Sequence, residues 1–333
     1  MASPIAVTRI TSPNDPLYSH VTDFLLAGED RLNFPLGIWF AWEKAGHDPT
    51  FLWFVAGPSS AGASDEDSSS ATAPASLRTL CFWTGGAHGG PGIWVSDGPA
   101  EDAAALARAL AAACDDSPGM LEGPGNGVRS FAVAFCEARE GRFTATPLVE
   151  LMVHRLDALR DDANTDPSPP TGFMRPARCD NTRDVALVLH WRRGFIKDTA
   201  LPGRPPPSLP SLDDEDASCF PQLAAGTLYV WEVEGSGPVA MAAWNRKTPN
   251  GCCVSLVYTP PEHRRRGHCH ALVRALSALL LHEPSFGNRF VTLFTDLANP
   301  TSNAIYRRIG YRALGEVTSI LALDPAPVPA SGS

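Results

Sequence analysis

The hydrophobic pattern is clearest in the second half of the chain. Over residues 182–198, apolar side chains recur every three or four positions, which predicts an amphipathic helix with one buried face. Short apolar runs bounded by Gly, Pro and Asn predict strands. The predicted strands are 173–177, 228–234, 238–245, 252–257, 289–295 and a final pair near 311–323, and the predicted helices are 182–198, 217–225, 266–282 and 300–309. The pattern predicts a mixed α/β fold.

The first half also mixes helix and strand patterns. Its predicted helices are residues 18–32, 100–113 and 127–137, and its predicted strands are 50–55, 77–83, 92–95 and 148–156. Two folded regions are therefore expected. This agrees with a length of 333 residues, because one domain usually spans roughly 100 to 200 residues.

Segments poor in apolar residues separate these elements. Residues 57–76 consist almost entirely of Gly, Ala, Ser, Pro and acidic residues, which predicts a disordered insertion. Three prolines in residues 161–171 indicate a linker between domains. The resulting predicted domains are residues 1–160 and 172–324, followed by a disordered tail at 325–333.

Charge and composition disfavour several classes of protein. The formal net charge is −9, so we expect neither a nucleic acid nor an anionic membrane as a partner. The most apolar run is too short to cross a membrane, and the chain opens without the pattern of a secretory signal. The eight cysteines show no C-x-x-C spacing, which agrees with a reducing compartment. A cytoplasmic protein is expected.

A basic loop connects the predicted strand 252–257 to the helix that follows it. The connection contains His263, Arg264, Arg265, Arg266, Gly267, His268 and Cys269. A helix N-terminus presents unpaired N–H groups and a positive dipole end, and glycine lets a ligand approach the backbone closely. On spacing alone, this loop is equally typical of a phosphate site and of an exposed basic turn.

A second segment follows the strand 289–295. Asn299 is placed to cap a short helix with Pro300 in its first turn, and Gly310 is placed to end it. Tyr306 lies two turns into this helix.

Together the two segments resemble the signatures of the GNAT superfamily of acyl-CoA N-acyltransferases. The family pattern is Q/R-x-x-G-x-G/A after the fourth strand and N-x6-Y-x3-G-F/Y after the fifth. The matching residues here are Arg264, Gly267 and Cys269, then Asn299, Tyr306, Gly310 and Tyr311. The resemblance covers about residues 171–323, and Cys269 departs from the usual Gly or Ala.

The resemblance implies a mostly antiparallel sheet that opens between its fourth and fifth strands to hold acetyl-CoA as the acyl donor. The pyrophosphate would lie on the amides of Arg264, Arg265, Arg266, Gly267, His268 and Cys269, and the pantetheine arm would pair with Leu256 and Val257. Tyr306 is the candidate proton donor to the departing thiolate, with a packing role as the alternative. Asn299 either reaches the pantetheine or caps its helix.

The proton acceptor and the acyl acceptor stay open at this stage. Many relatives carry a glutamate on the fourth strand, but the matching position lies near Cys253, where no carboxylate occurs. Glu232 and Glu234 on a neighbouring strand are possible bases, as is water. The acidic residues 213–216 either attract a cationic amine or simply begin a helix. No metal is expected, because His268, Cys269 and His270 project in different directions and lack further ligands.

Three functions remain possible for the second half. The leading hypothesis is transfer of an acetyl group from acetyl-CoA to a small-molecule amine. The alternatives are transfer to a protein or peptide amine, and non-catalytic binding of acyl-CoA. The oligomeric state is open, and a monomer is possible because of the tandem domains.

The first half is interpreted as a degenerate copy of the same domain. Strand 92–95 and helix 100–113 repeat the strand-to-helix step of the second half. Their connection, residues 96–101, is acidic where a phosphate loop must be positive. This copy is expected not to bind coenzyme A.

Overall fold

The structure, a computed structural model, describes residues 4–59, 76–85, 92–114, 118–160, 170–201 and 221–326. The chain divides into two compact units. Unit 1 comprises Met1–Gly28, Ile38–Leu151 and Glu316–Ser333, and unit 2 comprises Glu29–Gly37 and Met152–Gly315. The predicted linker lies mostly outside the described residues, so the predicted domain boundaries stay a prediction.

Unit 1 is a sheet with helices packed against it. Its strands are β1 (Ile5–Ile10), β2 (Leu52–Pro58), β3 (Thr79–Trp83), β4 (Gly92–Val95), β5 (Gly119–Pro124) and the end of β12 (Arg312–Pro325), in the order β1-β2-β3-β4-β5-β12. Its helices are α1 (Tyr18–Ala27), most of α2 (Asn33–Lys44), α3 (Ala100–Ala113) and α4 (Gly125–Ala138). β4 and β5 are parallel, whereas the other registered neighbours are antiparallel.

Unit 2 repeats this plan. Its strands are the end of β6 (Phe143–Leu156), β7 (Phe173–Pro176), β8 (Leu228–Val233), β9 (Gly237–Asn245), β10 (Gly251–Tyr258) and β11 (Phe290–Asp296), in the order β6-β11-β10-β9-β8-β7. Its helices are α5 (Thr182–Asp198), α6 (Pro221–Ala224), α7 (His268–His282) and α8 (Pro300–Ile309). β10 and β11 are parallel, and β7, β8, β9 and β10 pair antiparallel. The prediction of a mixed α/β fold is confirmed.

Both faces of β10 are buried, and this packing holds in place the strand from which the site is built. Cys252 and Val254 face α7 and belong to one apolar cluster with Leu272, Leu276 and Val291. The opposite face of the sheet packs against α5 through Val188, Leu189, Val230 and Met241. Because side chains alternate along a strand, Cys253 and Ser255 lie on the α5 side.

Several predicted elements are corrected by the structure. β1, α2 and β5 were not predicted, and β2 continues to Pro58, into the predicted insertion, whose residues 60–75 lie outside the described ones. The predicted final strand pair is one strand, β12, whose residues Thr318 to Leu323 pair with β5 of unit 1. The predicted helix 217–225 is the shorter α6, and residues 202–220, with the acidic run, are not described.

Within the described ranges, no helix combines the length and the apolar character needed to cross a membrane.

Candidate active site

The site begins where β10 and β11 stop pairing. Their parallel register runs from Gly251 beside Phe290 to Val254 beside Leu293. On the other side of β10, the register with β9 shifts between Ser255 and Tyr258. This irregularity places Leu256 at a left-handed φ of 50°. Leu256 and Val257, predicted as partners of a pantetheine arm, therefore lie outside both registers.

A cradle of backbone amides follows β10. Gly267 adopts the left-handed conformation, with a φ of 79°, and α7 begins at the next residue. The amides of Arg265, Arg266 and Gly267 donate no hydrogen bond to another described residue. The first amides of α7 lack intrahelical acceptors, as in any helix. The loop thus presents consecutive free N–H groups and the positive end of a helix dipole.

The three arginines of this loop differ in their surroundings. The Arg264 guanidinium forms an ion pair with Asp198 of α5, donates through Nε to the Thr259 carbonyl at 2.9 Å, and lies over the Tyr258 ring. Arg265 and Arg266 are exposed, and no carboxylate of the described residues pairs with them. Arg264 therefore braces the loop, whereas the other two are free to attract an anion.

The side chains of His268 and Cys269 are largely withdrawn from solvent, unlike those of the loop arginines. His268 is buried, and burial followed by the nearby His263 and Arg266 charges lowers its pKa. Cys269 packs into the apolar cluster between sheet and α7, where burial raises the pKa of its thiol to about 12. Cys269 can therefore offer an anion only its backbone amide. Its side chain, although larger than the usual Gly or Ala, does not narrow the loop.

Tyr306 of α8 is a buried phenol with a free hydroxyl. Its ring packs against Tyr311 at 6.0 Å between centroids, and its hydroxyl has no hydrogen-bond partner among the described residues. Burial, then Cys269, Tyr311 and Cys253, raises its pKa well above the ordinary value of 10. The phenol is therefore protonated at neutral pH and able to donate. By contrast, the Tyr311 hydroxyl is hydrogen-bonded to Ser277 Oγ at 2.8 Å.

Asn299 is the N-cap of α8. Its side-chain oxygen accepts from the Ser302 amide at 3.1 Å, and its carbonyl accepts from Asn303 Nδ2 at 2.8 Å. The capping role considered from the sequence is confirmed. The side chain is exposed, and its oxygen is already used.

Comparisons with known proteins agree with this geometry. Residues 233–319 match the family described as FR47-like protein. A GCN5-related N-acetyltransferase from Sphaerobacter thermophilus superposes with a TM-score of 0.55 at 13% identity, covering 98% of each chain. A tandem GNAT protein from the clavulanic acid biosynthesis pathway gives 0.53 at 12% identity, covering 98% of this chain and all of that one. This chain has the tandem GNAT fold. A Drosophila protein of known structure is similar too, with a TM-score of 0.54 at 15% identity, covering 97% of this chain and 99% of the other. No match was found among curated proteins.

The two copies of the GNAT fold differ where the strands should separate. In unit 1, a Cβ added to Gly123 of β5 would lie 2.2 Å from the Val95 carbonyl oxygen, and one added to Gly127 would lie 2.7 Å from the Ser96 carbonyl oxygen. These glycines let β5 and α4 pack directly against the end of β4. Acidic Glu101 and Asp102 open α3, and Asp102 binds Arg78. Both features agree with the expectation that unit 1 does not bind coenzyme A, which stays a prediction.

No carboxylate serves as a base at the expected position in unit 2. Burial raises the pKa of the Cys253 thiol, so this side chain is neutral rather than basic. Glu232 is paired with Arg175 at the edge of the sheet, and Glu234 is exposed in the turn after β8. Among the described residues, no group of three or more His, Cys, Asp or Glu side chains is arranged to hold a metal ion.

A buried histidine that the sequence did not single out supports α8. His154 Nε2 lies 3.2 Å from Asn303 Oδ1, and Asn303 donates both its N–H groups to the carbonyls of Asp296 and Asn299. Asn303 Oδ1 can therefore only accept, so the proton of His154 is on Nε2. Burial, as the larger effect, and nearby Arg307 lower the His154 pKa. The neutral imidazole thus fixes the loop that carries Asn299.

Proposed function

We propose that unit 2 catalyses the transfer of an acetyl group from acetyl-CoA to an amine. The observation that carries this proposal is the pairing of an amide cradle, at residues 265–267, with a protonated, unpartnered phenol on the next helix. The GNAT fold and the FR47-like match over residues 233–319 support it. The acceptor is a small-molecule amine, and the protein acts in the cytoplasm.

The residues of the cradle fit the diphosphate of acetyl-CoA. The free amides of Arg265, Arg266 and Gly267 and the exposed charges of the two arginines offer hydrogen bonds and positive potential to a phosphate. The amides of His268 and Cys269 extend this row, and Arg264 holds its shape. Beyond the register with β11, the backbone of Leu256 and Val257 is free to pair with the amide groups of the pantetheine arm.

The chemical step needs one proton donor and one proton acceptor. The amine nitrogen bonds to the thioester carbonyl carbon, the carbon–sulfur bond breaks, and the thiolate takes the proton of the Tyr306 hydroxyl. The neutral amine loses one proton in forming the amide, and water takes it because no carboxylate occupies the position of Cys253; a proton from solvent then restores the Tyr306 hydroxyl. The fixed orientation of the two reactants supplies the remaining acceleration.

The first experiment measures acetyl-CoA binding by isothermal titration. Gly267→Ala is compared with Gly287→Ala, because both glycines have a left-handed φ, at 79° and 60°, and neither added Cβ would clash with the protein. Each substitution costs about 1–2 kcal/mol of backbone strain. We expect only Gly267→Ala to weaken acetyl-CoA binding. Equal affinity in both variants contradicts a diphosphate site at this loop.

The second experiment measures release of coenzyme A with a panel of amines and peptides. Turnover above background with any amine supports the transferase. The alternative is a protein that binds acyl-CoA without catalysis, and the neutral thiol at position 253, in place of a carboxylate, favours it. Tight acetyl-CoA binding with no turnover across the panel would establish that alternative. Turnover with peptides alone would identify a peptide N-acetyltransferase instead.

A further inference from the structure

Arg246 is a cation without a carboxylate partner, held beside the opening between β10 and β11. It directly follows β9 and is half-buried at a left-handed φ of 50°. No carboxylate of the described residues lies within ion-pair distance of it, whereas Arg155, Arg175 and Arg264 of the same unit each have one. In a chain with 36 acidic and 27 basic residues, the lack of a carboxylate partner for Arg246 needs an explanation.

The first turn of α2 holds Arg246 in place. The buried Asn33 donates through Nδ2 to the Arg246 carbonyl at 3.1 Å. The guanidinium lies 4.8 Å from the centre of the Phe34 ring and 5.7 Å from that of Phe294. Gly37 packs close to its aliphatic stem, since a Cβ there would be in van der Waals contact, at 3.5 Å, with Arg246 Cβ and Cγ. The head group is thus oriented before any ligand binds, which reduces the entropic cost of binding.

Arg246 lies near the end of the site where the acetyl group would be transferred. Its Nη1 lies 3.9 Å from Cys253 Sγ, and the next residue of β10, Val254, is the last one paired with β11. The amide cradle begins beyond the other end of β10, and Cys253 and Tyr258 are separated by roughly 16 Å along the strand. An anion at Arg246 therefore does not belong to the diphosphate of acetyl-CoA.

Unpartnered polar atoms accompany Arg246 on this face of the sheet. Asn33 is fully buried, and its Oδ1 has no hydrogen-bond partner in the described parts of the chain. Asn245 Oδ1 and Ser255 Oγ are likewise buried and unpartnered, and Asn245 lies opposite Cys253 in the register. Buried polar groups are normally paired, so these atoms indicate a polar ligand. Oxygen acceptors suit an amine, and a guanidinium suits an oxyanion.

We infer that Arg246 binds an oxyanion, a carboxylate or a phosphate group, carried by the amine that accepts the acetyl group. This inference rests on the proposed function. It narrows the substrate class to amines with an acidic group, such as amino acids, and assigns selection of that class to Arg246.

The test compares matched acceptors with wild-type protein and variants. Initial rates of coenzyme A release are measured with L-amino acids, with their amides, and with aminoalkyl phosphonates. We expect the wild type to prefer a charged acceptor over the matching amide by about 10- to 100-fold in kcat/KM, the effect of a charged hydrogen bond. Amino acids or phosphonates, whichever react faster, identify the oxyanion.

Arg246→Gln should abolish this preference while its acetyl-CoA affinity and unfolding midpoint stay close to wild type. Arg246→Lys, which keeps charge without the planar fork, should retain part of it. Arg155→Gln is the control, because that guanidinium also lies over a ring, Phe290, but is paired with Asp30 and Asp157. It should leave the preference intact.

Three outcomes would overturn the inference. Transfer to amides and acids at equal rates in the wild type contradicts it but leaves the transferase standing, as does a preference that survives in Arg246→Gln. Binding of acetyl-CoA with no transfer to any amine refutes the proposed function itself, and the inference falls with it.

Discussion

Replacing Tyr306 by phenylalanine removes one oxygen atom that forms no hydrogen bond with any described residue. Because no hydrogen bond is lost, we expect the free energy of unfolding to change by less than about 0.5 kcal/mol. If the hydroxyl donates the proton to the leaving thiolate, kcat should fall by about 10²- to 10⁴-fold. The acetyl-CoA affinity should change far less, because the cradle of amides is untouched.

Tyr311→Phe is the matched control for this experiment. The Tyr311 hydroxyl is hydrogen-bonded to Ser277, which is fully buried. Its removal leaves the Ser277 hydroxyl unpaired and should cost about 1–3 kcal/mol of stability. Turnover of the folded protein should be preserved, and Tyr311→Phe combined with Ser277→Ala should recover part of the lost stability.

The assay combines steady-state kinetics of coenzyme A release with urea unfolding of each variant. The pH profile adds a further check, because the raised pKa of Tyr306 keeps it protonated above pH 10, where an ordinary phenol would ionise. Wild-type kcat should therefore show no decline from tyrosine ionisation up to that pH. Equal kcat in Tyr306→Phe and wild type would refute the assigned role of the phenol.

Three further predictions follow from the same unit. Because burial lowers the His154 pKa, the unfolded chain binds a proton at this imidazole more readily than the folded protein does. Stability should therefore fall as the pH drops below about 6.5. The urea midpoints at pH 7.5 and 5.5 should differ less in His154→Gln, which keeps a donor for Asn303, than in the wild type. Asn299→Ala and Asn181→Ala, at the N-caps of α8 and α5, should each cost about 1 kcal/mol of stability. A large loss of acetyl-CoA affinity in Asn299→Ala would contradict a purely capping role. Cys269→Ala should leave acetyl-CoA affinity unchanged in titrations, because its side chain packs in the core; a tenfold change would show that the side chain reaches the ligand.

Local signals in the sequence predicted α5 and α8 with their observed bounds. Each begins at an asparagine whose side chain accepts from backbone amides of the first turn, and α8 ends at Gly310 in a left-handed conformation. Local signals of the same kind failed to predict α2 and β5. α2 was missed because Pro35 and Gly37 usually break helices, although proline is tolerated within the first turn. β5 was missed because glycine and proline flank its few apolar residues.

The sequence by itself determined the parts of unit 2 whose geometry is local. Gly267 before α7, the basic loop around it, and the spacing from Asn299 to Tyr306 depend on residues within one or two turns of each other, so their pattern can be recognised in the chain. Only the tertiary structure decided that the Tyr306 hydroxyl is buried with no hydrogen-bond partner among the described residues, that Asp198 pairs with Arg264, and that β12 pairs with β5. It also brought Asn33 to Arg246, which is 213 positions away. Burial and pairing at such distances depend on the packing of the whole unit, which no local pattern encodes.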